Sequence, residues 1–153
     1  MCSSDLFYTT TQTEALIHHV FGVDTQLVLD GSYFVVEQDG RVVACGGWSD
    51  RRTLFGGDQS KSGIDPKLDP AREAARIRAF FVEPDAARQG IGARLLVHCE
   101  AVARAAGFAR TELMATLPGV PFYERLGYRA LESVDHPLPD GSHAPFVRMG
   151  RAL

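Results

Sequence analysis

Between residues 75 and 106 the chain reads ARIRAFFVEPDAARQGIGARLLVHCEAVARAA, and its hydrophobic period changes there from two to about 3.6. That change dictates a strand running into a helix. Over residues 76–82, Ile77, Ala79 and Phe81 fall on one face and Arg76, Arg78, Phe80 and Val82 on the other. Pro84 has no N–H to give a ladder and ends the strand. Ile91, Leu95, Cys99, Val102 and Ala106 then step by four, four, three and four, which is an apolar helical stripe. Glu100 and Arg104 have the spacing and order of a favourable helical ion pair. Gly107 is the expected residue just past the helix end.

The helix entry carries the chemistry. Arg88-Gln89-Gly90-Ile91-Gly92-Ala93 puts two glycines into the first turn. The first N–H groups of a helix have no partner within it, and the macrodipole adds partial positive charge there. Glycine lets an anion approach the backbone, so the sequence reads as a phosphate cradle. The alternative is that Gly90 and Gly92 serve only close packing of helix on strand. A dinucleotide fingerprint is excluded because Leu95 stands where its third glycine belongs. A nucleoside-triphosphate loop is excluded because no Gly-Lys-Ser/Thr follows.

The 153 residues suit one domain spanning 1–153, with enough chain for a substantial core. The net charge of −3 argues against general attraction to nucleic acid or anionic membrane. Cys2, Cys45 and Cys99 form neither a disulfide framework nor a metal knuckle. They fit a reducing cytoplasmic setting, with Cys45 and Cys99 as core fillers and no metal site. No apolar run is long enough to span a membrane, and no leader pattern opens the chain.

Thr11 and Glu14 have capping-box spacing for a first helix whose apolar face is Leu16, Ile17, Val20 and Phe21, stopped by Gly22. Adjacent His18 and His19 point in different directions on such a helix and do not share a metal. Residues 33–38, Asp39-Gly40 and residues 41–48 predict a hairpin with a two-residue type I′ turn. Gly46-Gly47 predicts a bulge or a close backbone approach, and Trp48 a core position. Residues 49–70 show no period, and read as a mobile substrate-side loop or a disordered insertion. Within it, Arg51 and Arg52 either hold an acidic acceptor or are simply solvated. A short buried strand at 111–115 follows, then a helix at 122–126 led by Pro121 and closed by Gly127. Residues 128–134 and 144–151 read as final strands flanking HPLPDGS.

The stretch Ala87-Arg88-Gln89-Gly90-Ile91-Gly92 resembles the acetyl-CoA-binding motif of the GNAT (GCN5-related N-acetyltransferase) superfamily. Both motif glycines match, whereas Ala87 replaces the family's Gln or Arg and leaves Arg88 beside it. PGVPFYERLGY, residues 118–128, resembles the family's fourth helix and next strand. The resemblance runs from about residue 11 to the end. It implies an α/β (α+β) fold with a central mixed, mostly antiparallel sheet flanked by helices. It also implies acetyl-CoA as co-substrate, held by backbone N–H groups of residues 88–93. Transfer to a small-molecule or peptide amine would then be direct, in a ternary complex without an enzyme nucleophile. The developing oxyanion would be met by a backbone N–H at Phe81-Val82. Tyr123 would protonate the leaving thiolate, phenol and thiol pKa values being ~10 and ~8.5; the alternative is that Tyr123 packs beside Leu126. The base stays open among Glu73, Asp50 and a water chain, since Arg76 and Arg78 stand where relatives carry a strand glutamate. A sensor that binds acyl-CoA without turnover is the other function class. The acceptor stays open among antibiotics, polyamines, amino acids and protein N-termini.

A GNAT chain opens with an edge strand and a helix before the helix placed here at Thr11. About ten residues precede Thr11, too few for both elements at ~3.3 Å per strand residue and ~1.5 Å per helix residue. The first strand is therefore expected to be missing, through truncation or a misassigned start. Residues 33–38 would then form an apolar sheet edge that invites pairing with a second copy of the chain.

Overall fold

The computed structural model describes residues 7–153. In chain order the elements are α1 (Thr10–His19), α2 (Thr25–Leu29), β1 (Tyr33–Gln38), β2 (Arg41–Ser49), β3 (Ala75–Val82), α3 (Ile91–Ala105), β4 (Arg110–Thr116), α4 (Val120–Arg125), β5 (Arg129–Pro137) and β6 (His143–Ala152). They form one mixed α/β layer structure. The six strands make a single sheet in the order β1-β2-β3-β4-β6-β5. Every neighbouring pair is antiparallel except β3 with β4.

Two apolar clusters cover the two faces. Ile77, Leu113, Met149 and Trp48 pack with Leu95, Leu96, Cys99 and Ala103 of α3, and Phe122 and Tyr123 of α4 join them. On the other face Leu16 and Val20 of α1 pack with Phe146, Ala144, Tyr8 and Leu138. Ile17 falls outside the expected helix face and is exposed. The capping box lies two residues earlier than Thr11 and Glu14 predict. Gln12 N–H donates to Thr9 Oγ1 at 3.1 Å, and Thr9 N–H to Gln12 Oε1 at 2.9 Å. Gln12 Nε2 also donates to His143 O at 2.8 Å, a tertiary bond that fixes this register.

The hairpin forms as expected. Gln38 pairs with Arg41, and both Asp39 and Gly40 take positive φ, 52° and 76°. Trp48 is buried, with its ring edge-on to Phe108. Of the two readings of Gly46-Gly47 the close approach holds: a Cβ on Gly46 would stand 2.5 Å from the Phe80 ring, and one on Gly47 would meet Ser32 O. The ladder shifts register there, but its extra residue belongs to β3.

The alternation expected in β3 breaks at Ala79. Between Gly47↔Arg78 and Cys45↔Phe81, β3 spends one residue more than β2, and Ala79 takes φ 53°. This is a bulge, and the extra residue reverses the phase of everything beyond it. Phe80 and Val82 therefore join Ile77 on the α3 face, while Phe81 turns to the α1 face, edge-on to Phe21. The Glu100–Arg104 pair does not form. Glu100 is buried and accepts from the Tyr128 hydroxyl at 2.8 Å, with Arg151 Nη1 at 3.6 Å.

Among the described residues β1 is the outer strand and no strand pairs with its free edge. Residues 1–6, most of the stretch that would hold a preceding strand, lie outside the described residues.

Candidate active site

The parallel pairing of β3 with β4 is brief. Only Ala75↔Thr111 and Arg76↔Glu112 are in register, and beyond them the strands part. The C-terminal half of β3 therefore borders a gap instead of a neighbour. Glu83 N–H donates to Val43 O of β2 at 2.8 Å. Backbone groups alternate sides along a strand, so the Val82 N–H faces away from β2 and into the gap. Of the pair Phe81-Val82, Val82 is thus the one whose N–H is aimed there. Phe81 contributes its side chain to the opposite face.

α3 begins at this end of β3. Arg88 and Gly90 take positive φ, 64° and 75°, and turn the chain from the Pro84–Ala86 3-10 turn into the helix. Gly90 is the N-cap, with no side-chain cap, and the helical ladder opens with Arg94 N–H to Gly90 O at 3.0 Å. The N–H groups of Ile91, Gly92 and Ala93 are thus left without helical partners. The two glycines divide the work. A Cβ on Gly90 would meet nothing within 4 Å, so this position is open to a ligand. A Cβ on Gly92 would lie 3.2 Å from Phe122 Cζ and 3.3 Å from Val82 Cγ2. Gly92 therefore serves the close packing of α3, α4 and β3. Gln89 lies beside this loop, its side chain donating to Asp85 O and accepting from Gln38; Ala87 and Arg88 complete it.

Pro121 occupies the first turn of α4, as expected. Tyr123 is half-buried, edge-on to Phe122 and to Tyr128 at centroid distances of 5.0 and 5.7 Å. Burial raises its phenol pKa above the ordinary value, and Cys99 adds to the rise. Burial likewise pushes the Cys99 thiol up to about 12, which leaves it protonated and inert. The neighbouring phenol of Tyr128 is engaged structurally, 2.8 Å from both Thr111 Oγ1 and Glu100 Oε1.

The two carboxylates considered as bases are elsewhere. Glu73 precedes β3, accepts from Asp69 N–H at 2.7 Å, and is nine residues from Val82, roughly 30 Å of extended strand. Asp50 follows β2, whose end pairs with the start of β3, and both its oxygens accept from Lys67 Nζ. Neither adjoins the gap. Arg51 is committed to Asp30 through two bonds of 2.7 and 2.9 Å, and Arg52 lies 4.0 Å from Glu73.

A buried charge cluster on the α1 face has no counterpart in the sequence reading. Asp24, the N-cap of α2, accepts from Leu27 N–H, from Lys61 Nζ at 2.5 Å and from Arg78 Nη2 at 2.7 Å. Arg78 also donates to Thr53 O at 3.0 Å and Gly56 O at 2.6 Å, so it fastens the aperiodic segment 49–70 to the sheet. Burial lowers the Arg78 pKa, and Asp24 opposes that shift. Asp24-Thr25 before an apolar Leu-Val-Leu run is the sequence signature of that cap.

The profile described as the Acetyltransferase (GNAT) family matches residues 5–128. No curated protein matches the chain. Among solved structures, a GCN5-related N-acetyltransferase from Rhodopseudomonas palustris superposes with a TM-score of 0.69 at 18% identity, covering 98% of this chain and 80% of that one. A ribosomal-protein-alanine N-acetyltransferase from Brucella melitensis gives 0.62 at 16% identity, over 84% and 74% of the two chains. The yncA protein of Salmonella typhimurium, solved with its cofactor acetyl-CoA, gives 0.61 at 18% identity, over 84% and 69%. At these identities the likeness is one of fold.

Proposed function

The chain belongs to the acetyltransferase (GNAT) family and is an acyltransferase, and we propose that it moves an acetyl group from acetyl-CoA to a primary amine by direct attack in a ternary complex. The observation that carries this reading is the meeting of three features at one end of β3. They are the gap between β3 and β4, the uncapped N-terminus of α3, and α4, whose Phe122 lies against Gly92 and Val82 and is followed by Tyr123.

The residues present suit the co-substrate. Three N–H groups at the start of a helix of 15 residues offer donors and a positive dipole end to a pyrophosphate. Gly90 leaves the approach open, with Ala87, Arg88 and Gln89 forming the rim. When bound, acetyl-CoA supplies an activated acyl group. The Val82 N–H faces the gap and is fixed in advance by the sheet, so it can take up charge developing on the carbonyl oxygen without reorganisation. The amine nitrogen forms the new C–N bond as the C–S bond breaks, and its surplus proton leaves through water, since neither Glu73 nor Asp50 adjoins the gap. Tyr123 gives its proton to the departing sulfur; its raised pKa keeps it protonated beforehand and makes it a weaker acid than a free phenol.

Arg78, already committed to Asp24, stands where a strand carboxylate would serve as base. That observation favours a second reading, a module that binds acyl-CoA without turnover. Thiol release from acetyl-CoA with a panel of amines decides between the two. Release dependent on amine supports transfer; calorimetric binding of acetyl-CoA with no release supports the sensor. The edge of β1, unpaired among the described residues, is the surface on which a second copy would dock in either case, and light scattering at high concentration tests that.

A further inference from the structure

Resting on the acetyl-transfer reading above, we infer that the acceptor is a small monoamine with an apolar body, aryl-alkyl or branched-alkyl, seated in a cavity beside Phe81 that excludes polycationic amines. The cavity has a volume of about 290 Å³ and is lined by Gly22, Val23, Asp24, Val28, Tyr33 and Phe81. This is at the small end of ligand sites, which span roughly 300–1,000 Å³. It lies on the α1 face of β3, where the bulge at Ala79 has turned Phe81, one residue from the Val82 N–H that faces the gap. An amine held there would approach the reacting carbonyl from the side opposite α3.

The lining fixes the class of occupant. Val23, Val28 and Phe81 are 70%, 57% and 46% exposed, so three large apolar side chains stay open around one small cavity. The polar groups of the lining are already engaged. The Tyr33 hydroxyl donates to Ala79 O at 3.2 Å. Asp24 is the sole carboxylate among the lining residues, and its two oxygens are taken by Arg78 and Lys61. That carboxylate is shared between two cations, and Asp58 and Asp65 lie near them outside the lining, so the lining holds no free carboxylate oxygen. A second ammonium on the acceptor would be desolvated there without a partner. The same lining provides no free anion to hold the attacking nitrogen as ammonium. It therefore favours the neutral amine that attack requires, at a site with no strand carboxylate to act as base.

The test uses the full chain with phenethylamine, isoamylamine, spermidine and kanamycin. Thiol release from acetyl-CoA is read beside calorimetric binding of each amine to the CoA-loaded protein. The two apolar amines should bind, and should exceed spermidine by ~10²-fold in kcat/KM. Val28→Asp, on the exposed side of α2, places a free carboxylate in the lining and should narrow that ratio at least ~10-fold, in binding as in turnover. Val23→Asp is the second variant and serves if the first does not fold. Preference for spermidine or kanamycin, failure of the apolar amines to bind, or an unchanged ratio in a folded variant would each overturn the assignment. Tight binding of the apolar amines with no thiol release from any amine would support the cavity's ligand class while removing the transfer reading.

Discussion

Arg78 Nη2 stands 2.7 Å from Asp24 Oδ2, and both side chains are only 2% exposed. The pair joins a central strand to the cap of α2 across 54 residues of sequence. Removing Asp24 leaves the Arg78 charge buried without its carboxylate, which costs ~3–5 kcal/mol. Arg78→Ala should lose less than that in urea unfolding, because Asp24 keeps Lys61, although Thr53 O and Gly56 O lose their donor. The double change Asp24→Leu with Arg78→Met should cost clearly less than the two single changes added together. Strict additivity would mean that the two groups are not coupled.

The contrast between this pair and the rest of the site shows what a sequence can carry. The strand–turn–helix of residues 75–106, the hairpin at Asp39-Gly40 and the Pro121 helix are local patterns, and each forms where its pattern stands. The bulge at Ala79 has no local signature. It is accompanied by the Phe80 ring lying over Gly46, a contact between strands, and one inserted residue inverts which side chains face the cavity. Glu100 has the spacing of a surface pair with Arg104, but Tyr128, just before β5, and Arg151 of β6 draw it inward. Arg78 looks like an ordinary strand arginine until α2 brings Asp24 over it. The glycine-opened helix entry was legible, but the division of labour between its glycines was not: Gly92 faces Phe122, which lies thirty residues on.

Asp30 provides a pH test. Hydrogen bonds from Arg51 hold its carboxyl down to about 2 from the ordinary 3.8. A depressed carboxylate contributes stability that is present above its unfolded pKa and is lost as pH falls through the folded one. The loss therefore lies between about pH 4 and pH 2. Asp30→Asn should lower Tm at pH 5, and the gap to the unaltered protein should close as pH falls through that window. A gap that stays constant down to pH 2 would mean that the Arg51 contact stabilises nothing.

Gly90 and Gly92 should separate binding from packing. Aspartate tolerates the left-handed backbone of Gly90, and nothing lies within 4 Å of its added Cβ. Gly90→Asp should therefore fold with a loss of no more than ~1–2 kcal/mol. Its negative charge at the helix entry should nevertheless abolish most of the thermal stabilisation conferred by CoA. Gly92→Ala should instead destabilise the free protein, because overpacking against Phe122 and Val82 costs ~1–3 kcal/mol and exceeds the gain in helix propensity. If Gly90→Asp keeps the full CoA shift, the anion does not sit at this helix end.

Tyr123→Phe isolates the proton. The phenyl ring keeps the contacts to Phe122 and Tyr128, so unfolding free energy should change by less than ~0.5 kcal/mol. Acetyl-CoA affinity should be retained, because the proposed cradle lies on α3. Single-turnover kcat should fall by ~10²-fold, the scale of a lost general acid. The phenol pKa is raised above its ordinary 10, so in the unaltered protein this group stays protonated throughout the neutral and mildly alkaline range. Activity should consequently show no alkaline decline attributable to it below pH ~10. Unchanged single-turnover rates in Tyr123→Phe would return this residue to the packing of α4 on α3 and leave the thiolate to be protonated by solvent.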